Sequence, residues 1–123
     1  MVDRLTGLIG AVHATVFSTD AEATREFFRD VLALDSVDAG GGWLIFALPP
    51  AELGVHPTEG EPRHELYLMC DDIEATIGEL EAKGVELATP VSDEGFGLVA
   101  YIRVPGLGRL GVYEPRHPSP LGA

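Results

Sequence analysis

One segment of this chain occurs twice. His13-Ala-Thr-Val-Phe-Ser-Thr-Asp20-Ala-Glu22-Ala23-Thr24 returns 52 positions later as Glu65-Leu-Tyr-Leu-Met-Cys-Asp-Asp72-Ile-Glu74-Ala75-Thr76, with Asp-x-Glu-Ala-Thr identical. A second pair, Leu53-Gly-Val-His56-Pro and Leu110-Gly-Val-Tyr113-Glu-Pro115, closes each half. Repeated segments of this length are copies of one supersecondary unit. Each copy spans only about 60 residues, too few to bury a comfortable core alone, so the two are expected to share one.

Alternation before each Asp-x-Glu-Ala-Thr predicts a strand, over Ala11 to Phe17 in the first copy and Glu65 to Cys70 in the second. Thr19 to Glu22 and Asp71 to Glu74 read as capping boxes that open helices. The first helix is expected to run to about Leu34, the second to about Lys83 with Ile73, Ile77 and Leu80 facing inward; Gly84 is its stop. In the first copy, short strands are expected near Ser36 to Asp38, over Trp43 to Leu48 after three glycines, and over Glu52 to His56. In the second they fall near Val91, over Gly97 to Val104 and over Leu110 to Tyr113. The architecture is therefore α+β, with two βαβββ units in one domain, about 9–57 and 64–115. Pro57 to Arg63 reads as the linker, and the residues from Pro115 onward as an extended tail.

Strand side chains point to opposite faces with period two. One face collects Val12, Ala14, Val16, Leu53, Val55, Leu66, Leu68, Cys70, Leu98, Ala100, Ile102, Leu110 and Val112, which should lie beneath the helices. The other collects His13, Thr15 and Phe17; Gly54 and His56; Glu65, Tyr67 and Met69; Val99, Tyr101 and Arg103; and Gly111 with Tyr113. Mixed aromatic and ionisable groups on one sheet face suit a ligand cup, with the helices on the outer face of a curved mixed sheet. Trp43, at a strand start, reads as either a lid on that cup or a packing anchor. Glycine at 54 and 111 would let a ligand approach the backbone.

Charge narrows the partner. The formal net charge is −12, and Lys83 is the only lysine. Such a field repels phosphate backbones and anionic lipid, which argues against nucleic acid or a membrane surface as partner and favours a cationic small molecule. No run reaches the roughly 18 apolar residues of a membrane span. Without a basic leader and with a single cysteine, Cys70, read as a core residue, a cytoplasmic location is expected.

The two units, the His13, Asp20, Phe27-Phe28 and Val31-Leu32 spacing, the Asp71-Asp72-Ile73 turn and the Leu-Gly-Val-Tyr-Glu-Pro ending resemble the vicinal oxygen chelate superfamily. That group includes glyoxalase I, extradiol dioxygenases and bleomycin resistance proteins. The resemblance implies a homodimer and a cup built within one chain or across two. Metal-dependent members take ligands from the first and last strands of each unit, which here correspond to His13 and Glu65 and to Gly54 and Gly111. The two glycines leave that set incomplete. His13, His56 and Glu65 form a substitute set suited to iron, manganese, nickel or zinc, with His64 and Glu114 as further candidates. Two functions follow as expectations. One is a binding protein whose cup, lined by Thr15, Phe17, Gly54, Tyr67, Met69, Tyr101, Arg103, Gly111 and Tyr113, holds a small molecule without chemistry. The other is a divalent-metal lyase, isomerase or dioxygenase acting on vicinal oxygens, with Tyr101 or Tyr113 as proton donor. Glu65 has a competing structural role, an ion pair with Arg103 across the cup.

Overall fold

Both Asp-x-Glu-Ala-Thr copies start a helix, and they do so one residue later than a capping box requires. The computed structural model describes residues 13–52, 54–55 and 57–121. In it the Asp20 carboxylate accepts the Ala23 N–H at 3.2 Å, and Asp72 accepts the Ala75 N–H at 3.1 Å. The caps are thus Asp20 and Asp72, not Thr19 and Asp71. Glu22 and Glu74 fall in the first helical turn, where their charge meets the positive end of the helix dipole.

The first helix, α1 (Ala21–Glu26), is shorter than its apolar spacing predicts. It passes into a π-helical turn, Phe27–Val31, in which the Leu32 N–H reaches back five residues to the Phe27 carbonyl. Ala33 then takes a left-handed conformation, φ 58°, and ends the segment. The wider turn leaves Phe27 in the core and sets Phe28 edge-on to Phe46. Next come β1 (Ser36–Asp38) and β2 (Leu44–Phe46), an antiparallel hairpin. Its turn uses three consecutive glycines at positive φ, held by the Asp38 carboxylate, which accepts from the Gly40 and Gly42 N–H groups. Trp43 is not a packing anchor: it is largely exposed, with the Arg25 guanidinium over its ring.

The second unit builds the main sheet. Strand β3 (Tyr67–Met69) is followed by α2 (Ile73–Ala82), β4 (Leu87–Asp93), β5 (Gly97–Val104) and β6 (Gly108–Pro115). The four strands lie in the order β3-β6-β5-β4, with β3 parallel to β6 and the other pairs antiparallel. Helix α2 ends in a Schellman motif at Gly84, φ 87°, where Val85 N–H bonds to the Leu80 carbonyl and Gly84 N–H to that of Glu81. Ile73, Ile77 and Leu80 face inward as expected, and pack with Ala100, Ile102, Leu110, Val112 and Phe27 in one core. The units are joined at the β5-β6 turn. The buried Thr24 hydroxyl donates to the Pro105 carbonyl, and the Thr19 N–H to that of Gly106.

The end strands expected in the first unit take another form. Residues 13–18, with 52, 54 and 55, lie in no strand, and Ala14, Val16 and Val55 are exposed rather than under a helix. Val12, Leu53 and His56 lie outside the described residues. Alternation assigns faces to a strand but supplies no neighbour, and a strand exists only where its N–H and C=O groups find a ladder. The tail also differs from an isolated extension. Arg116 N–H bonds to the Phe96 carbonyl, its guanidinium reaches Asp93, and the Ser119 hydroxyl donates to Glu52.

Two substitutions separate the energetic layers of α2. Ile73→Ala should cost about 2–5 kcal/mol, as a fully buried side chain leaves a cavity. Asp72→Ala should cost about 1 kcal/mol, the loss of one cap. Urea unfolding midpoints of the two variants check both the order and the gap.

Candidate functional site

The sheet face opposite α2 carries a continuous aromatic row. Because β5 and β6 pair Tyr101 with Gly111 and Val99 with Tyr113, and β3 pairs Tyr67 with Gly111, three strands send these rings to one side. Ring centroids lie 6.1 Å apart for Tyr67 and Tyr101, 6.0 Å for Tyr67 and Tyr113, and 6.0 Å for Phe96 and Tyr113. His117 from the tail adds a fifth ring, 5.8 Å from Tyr113. These tilted geometries and spacings are those that aromatic quadrupoles favour.

Gly111 is what admits the row. A Cβ at that position would overlap Cδ1 and Cε1 of Tyr67, whose ring lies directly over the glycine. The missing side chain therefore makes room for a protein ring rather than for a ligand at the backbone. Gly97 serves Tyr113 in the same way. At Gly54 a Cβ would meet nothing within 4 Å.

Beside the row is a hollow of about 400 Å³, between β4 and the aromatic strands. Tyr67, Val99, Tyr101 and Phe96 line it together with Thr89, Ser92 and Glu94, Thr89 lying beside Tyr101 and Ser92 beside Val99 in the β4-β5 ladder. Two register shifts in β4 aim its polar groups. Leu87 is opposite Ile102 on the core side, Thr89 is opposite Tyr101, and Ser92 is opposite Val99. Three steps along β4 thus match two along β5, a bulge that keeps Thr89 and Ser92 on one face. Alternation alone would have placed them on opposite faces. The short strand expected near Val91 carried no face assignment, so spacing does not single out Thr89 and Ser92, and Glu94 and Phe96 lie beyond the strand. The run Ser92-Asp-Glu-Gly-Phe96 carried the only signal, that of a polar turn.

Glu65 and two tyrosines form the polar end. The Tyr67 hydroxyl donates to Glu65 Oε1 at 2.6 Å and lies 3.0 Å from the Tyr101 hydroxyl. Arg63 Nε donates to Glu65 Oε2 at 3.1 Å. The Tyr67 bond, the Arg63 bond and the charges of Arg63 and Arg109 hold the Glu65 carboxyl below the usual carboxylate range. Burial, then the bonds to Glu65 and Tyr101, pushes the Tyr67 phenol well above its ordinary value. Burial and the Glu52 charge also raise Tyr113, whose hydroxyl donates to the Phe96 carbonyl at 3.3 Å. Arg109, also missed in the sequence, places its guanidinium 4.1 Å over the Tyr101 ring, a cation-π contact.

Of the residues singled out by alternation, Tyr67, Tyr101 and Tyr113 come together, with Glu65 at their polar end; Met69 pairs with Tyr113 in register and is partly exposed. His13, Thr15 and Phe17 are exposed and belong to no strand, and Phe17 is 90% exposed. Arg103 does not pair with Glu65. It borders a second hollow of about 460 Å³ walled by Phe27, Val31, Val85 and Val104, where Lys83 Nζ donates to the Val31 carbonyl.

The metal donors fare differently from the aromatic residues. Glu65 has both oxygens engaged, and Glu114 accepts the Ile73 N–H at 2.9 Å, capping α2 from the core side of the sheet. His64 is exposed, and His56 lies outside the described residues. Among the described residues no group of three or more His, Cys, Asp or Glu side chains is arranged to hold a metal ion. Cys70 is free and partly buried, and burial raises its thiol, consistent with a packing role.

An α+β chain with this strand order and an open aromatic face defines a fold class, and the comparisons name it. Residues 10–117 match the Glyoxalase/Bleomycin resistance protein/Dioxygenase superfamily, and the chain belongs to that family. Its fold is similar to that of TnmS3, an antibiotic binding protein from Streptomyces sp. CB03234, at 22% identity and TM-score 0.65, covering 89% of this chain and 99% of the other. It is also similar to lactoylglutathione lyase from Agrobacterium tumefaciens, at 18% identity and TM-score 0.61, covering 88% and 96%. A superfamily member from Sphaerobacter thermophilus DSM 20745 matches at 20% identity and TM-score 0.62, covering 87% and 98%. No curated protein matches in sequence.

Two outcomes check this site. Gly111→Ala should displace the Tyr67 ring and destabilise the fold by about 1–3 kcal/mol, the usual cost of overpacking; chemical denaturation with Tyr67 ring resonances as a second readout measures both. In an ultraviolet titration, Tyr67 and Tyr113 should ionise later than free tyrosine, near pH 10. Their folded values are raised, so this contribution is complete below the unfolded pKa and is lost as pH rises through the folded one. Glu65 is lowered, so its contribution is present above the unfolded carboxylate pKa and is lost as pH falls through the folded value.

Proposed function

We propose that this protein binds a small aromatic molecule in the hollow beside Tyr67 and Tyr101 and performs no chemistry on it, in the manner of the bleomycin-resistance branch of its family. The observation that carries the reading is the aromatic row with its flanking 400 Å³ hollow. Rings with a few polar groups beside them suit a flat ligand held by stacking and oriented by hydrogen bonds. The net charge of −12 favours a cationic one. The antibiotic-binding relative from Streptomyces lends support. Thr15, Phe17, Gly54, Met69, Arg103, Gly111 and Tyr113 belong to the proposed cup only so far as the assembly brings them to it.

That assembly is a homodimer in this reading. Phe17 and Val55 are about nine-tenths exposed, at 90% and 89%, and both lie in the segments of the first unit that find no strand partner. A second copy would give those segments an edge to pair with. In this reading the chain is one domain of two βαβββ repeats, about 9–57 and 64–115, the first completing its end strands only against the second copy. A cytoplasmic location accompanies this reading. No helix among the described residues is long and apolar enough to cross a membrane.

Elemental analysis of chelator-free protein, with thermal shifts on adding nickel, manganese, iron(II) and zinc, tests the absence of chemistry. Metal far below one per chain and no shift are expected. One metal per chain, lost in Glu65→Gln, would overturn the binding reading in favour of a metal-dependent lyase, isomerase or dioxygenase. Fluorescence titration with planar cationic dyes tests the hollow: Tyr101→Ala should weaken binding about tenfold, the scale of one lost aromatic contact.

A further inference from the structure

The polar end of the hollow has a direction. A tyrosine hydroxyl carries one proton, and that of Tyr67 goes to Glu65 Oε1 at 2.6 Å. The 3.0 Å contact between the two tyrosine hydroxyls must then run from Tyr101 to Tyr67. The chain Tyr101 to Tyr67 to Glu65 is anchored beyond the carboxylate by Arg63 Nε. Its anchor and its middle member hold across the physiological range: Glu65 stays ionised because Tyr67 and Arg63 stabilise its charge, and Tyr67 stays protonated because burial disfavours its anion. Tyr101 therefore offers the hollow an oxygen with lone pairs and no proton.

The β4 edge of the hollow is nearly as one-sided. The Ser92 hydroxyl donates to Glu94 Oε2, so it too faces the hollow as an acceptor, as does the Glu94 carboxylate. Thr89 is the exception. Its oxygen accepts the Tyr101 backbone N–H at 3.2 Å, and its own proton is left to give.

We propose that the Tyr101-Tyr67-Glu65 chain makes this hollow selective for planar aromatic ligands that present an O–H or N–H donor at the Tyr101 oxygen, and that it rejects isosteres with an ether or carbonyl in that place. The inference rests on the binding reading above and adds the chemistry of the ligand's polar edge. Discrimination comes from the unmatched alternative: an ether oxygen set against the Tyr101 oxygen leaves two acceptors facing each other across a partly desolvated gap. Tyr67 and Glu65 act as positioning residues, since they fix the Tyr101 proton.

The test uses 2-naphthol and 2-methoxynaphthalene, flat probes of nearly equal shape, titrated into the full chain with backbone and tyrosine ring resonances as readout. Naphthol should bind about tenfold more tightly, the value of one net hydrogen bond, although the methyl ether is the more hydrophobic. In Tyr67→Phe the Tyr101 proton is released, and the preference should fall to about twofold or less. Glu65→Gln keeps both tyrosines, and its amide can donate to Tyr67 and reverse the chain; it should relax the preference in the same way. Equal affinities for the two probes in the wild type, with the hollow resonances shifting for both, would overturn the donor selectivity and leave the binding reading standing. A tenfold preference unchanged in both variants would overturn the role of the chain. Failure of both probes to shift resonances of β4 or β5 would overturn the binding reading and this one together.

Discussion

The seating of the Tyr67 ring on the bare backbone of Gly111 sets the geometry of everything on the open face. Because β3 runs parallel to β6 with these two residues in register, any side chain at 111 would lift Tyr67 away. With the ring down, its hydroxyl reaches Glu65 in one direction and Tyr101 in the other, and its edge meets Tyr113. One absent methyl group thus decides where three tyrosines and a carboxylate converge. The glycine is a constraint on packing first, and on ligands only through the ring it accommodates.

The same strands serve two purposes on their two sides. Ala100, Ile102, Leu110 and Val112 are buried almost completely beneath α2, while Val99, Tyr101 and Tyr113 alternate with them on the open side. Burying the helix face stabilises the sheet by the hydrophobic effect, and a rigid sheet in turn holds the rings at fixed spacing. Glu114 shows the division sharply. Turned to the helix side, it accepts the first N–H of α2, a group that would otherwise lack a partner, and so is unavailable to the open face.

Much of this was legible in the sequence where periodicity and local chemistry agree. The helix over residues 73–82, its glycine stop, its inward face and the strand Gly97–Val104 follow directly from spacing. So does the convergence of Tyr67, Tyr101 and Tyr113. What escaped has identifiable causes. The caps were displaced by one residue because Asp-Asp and Thr-Asp both offer plausible oxygens, and only backbone geometry chooses between them. The π-helical turn at Phe27–Val31 leaves no mark on apolar spacing. The face assignment of 13–17 presumed a strand partner that alternation cannot supply, and the Arg103 pairing with Glu65 yielded to Arg63, only two residues away along the chain. Thr89 and Ser92 fall on a strand expected only near Val91, and its bulge breaks the parity rule that would have assigned them a face.

That bulge has a consequence for how such a protein can change. Among the described residues strand β4 lies at the edge of the sheet and pairs with one neighbour, so a residue gained or lost there disturbs a single ladder and leaves the core strands intact. Yet one such event rotates every side chain beyond it to the other face. The polar edge of the hollow can therefore be rewritten wholesale by an insertion or deletion, without any substitution among the aromatic residues beside it. A lineage built on this scaffold can exchange what it recognises in one step while keeping the rings, the helix and the stability they confer.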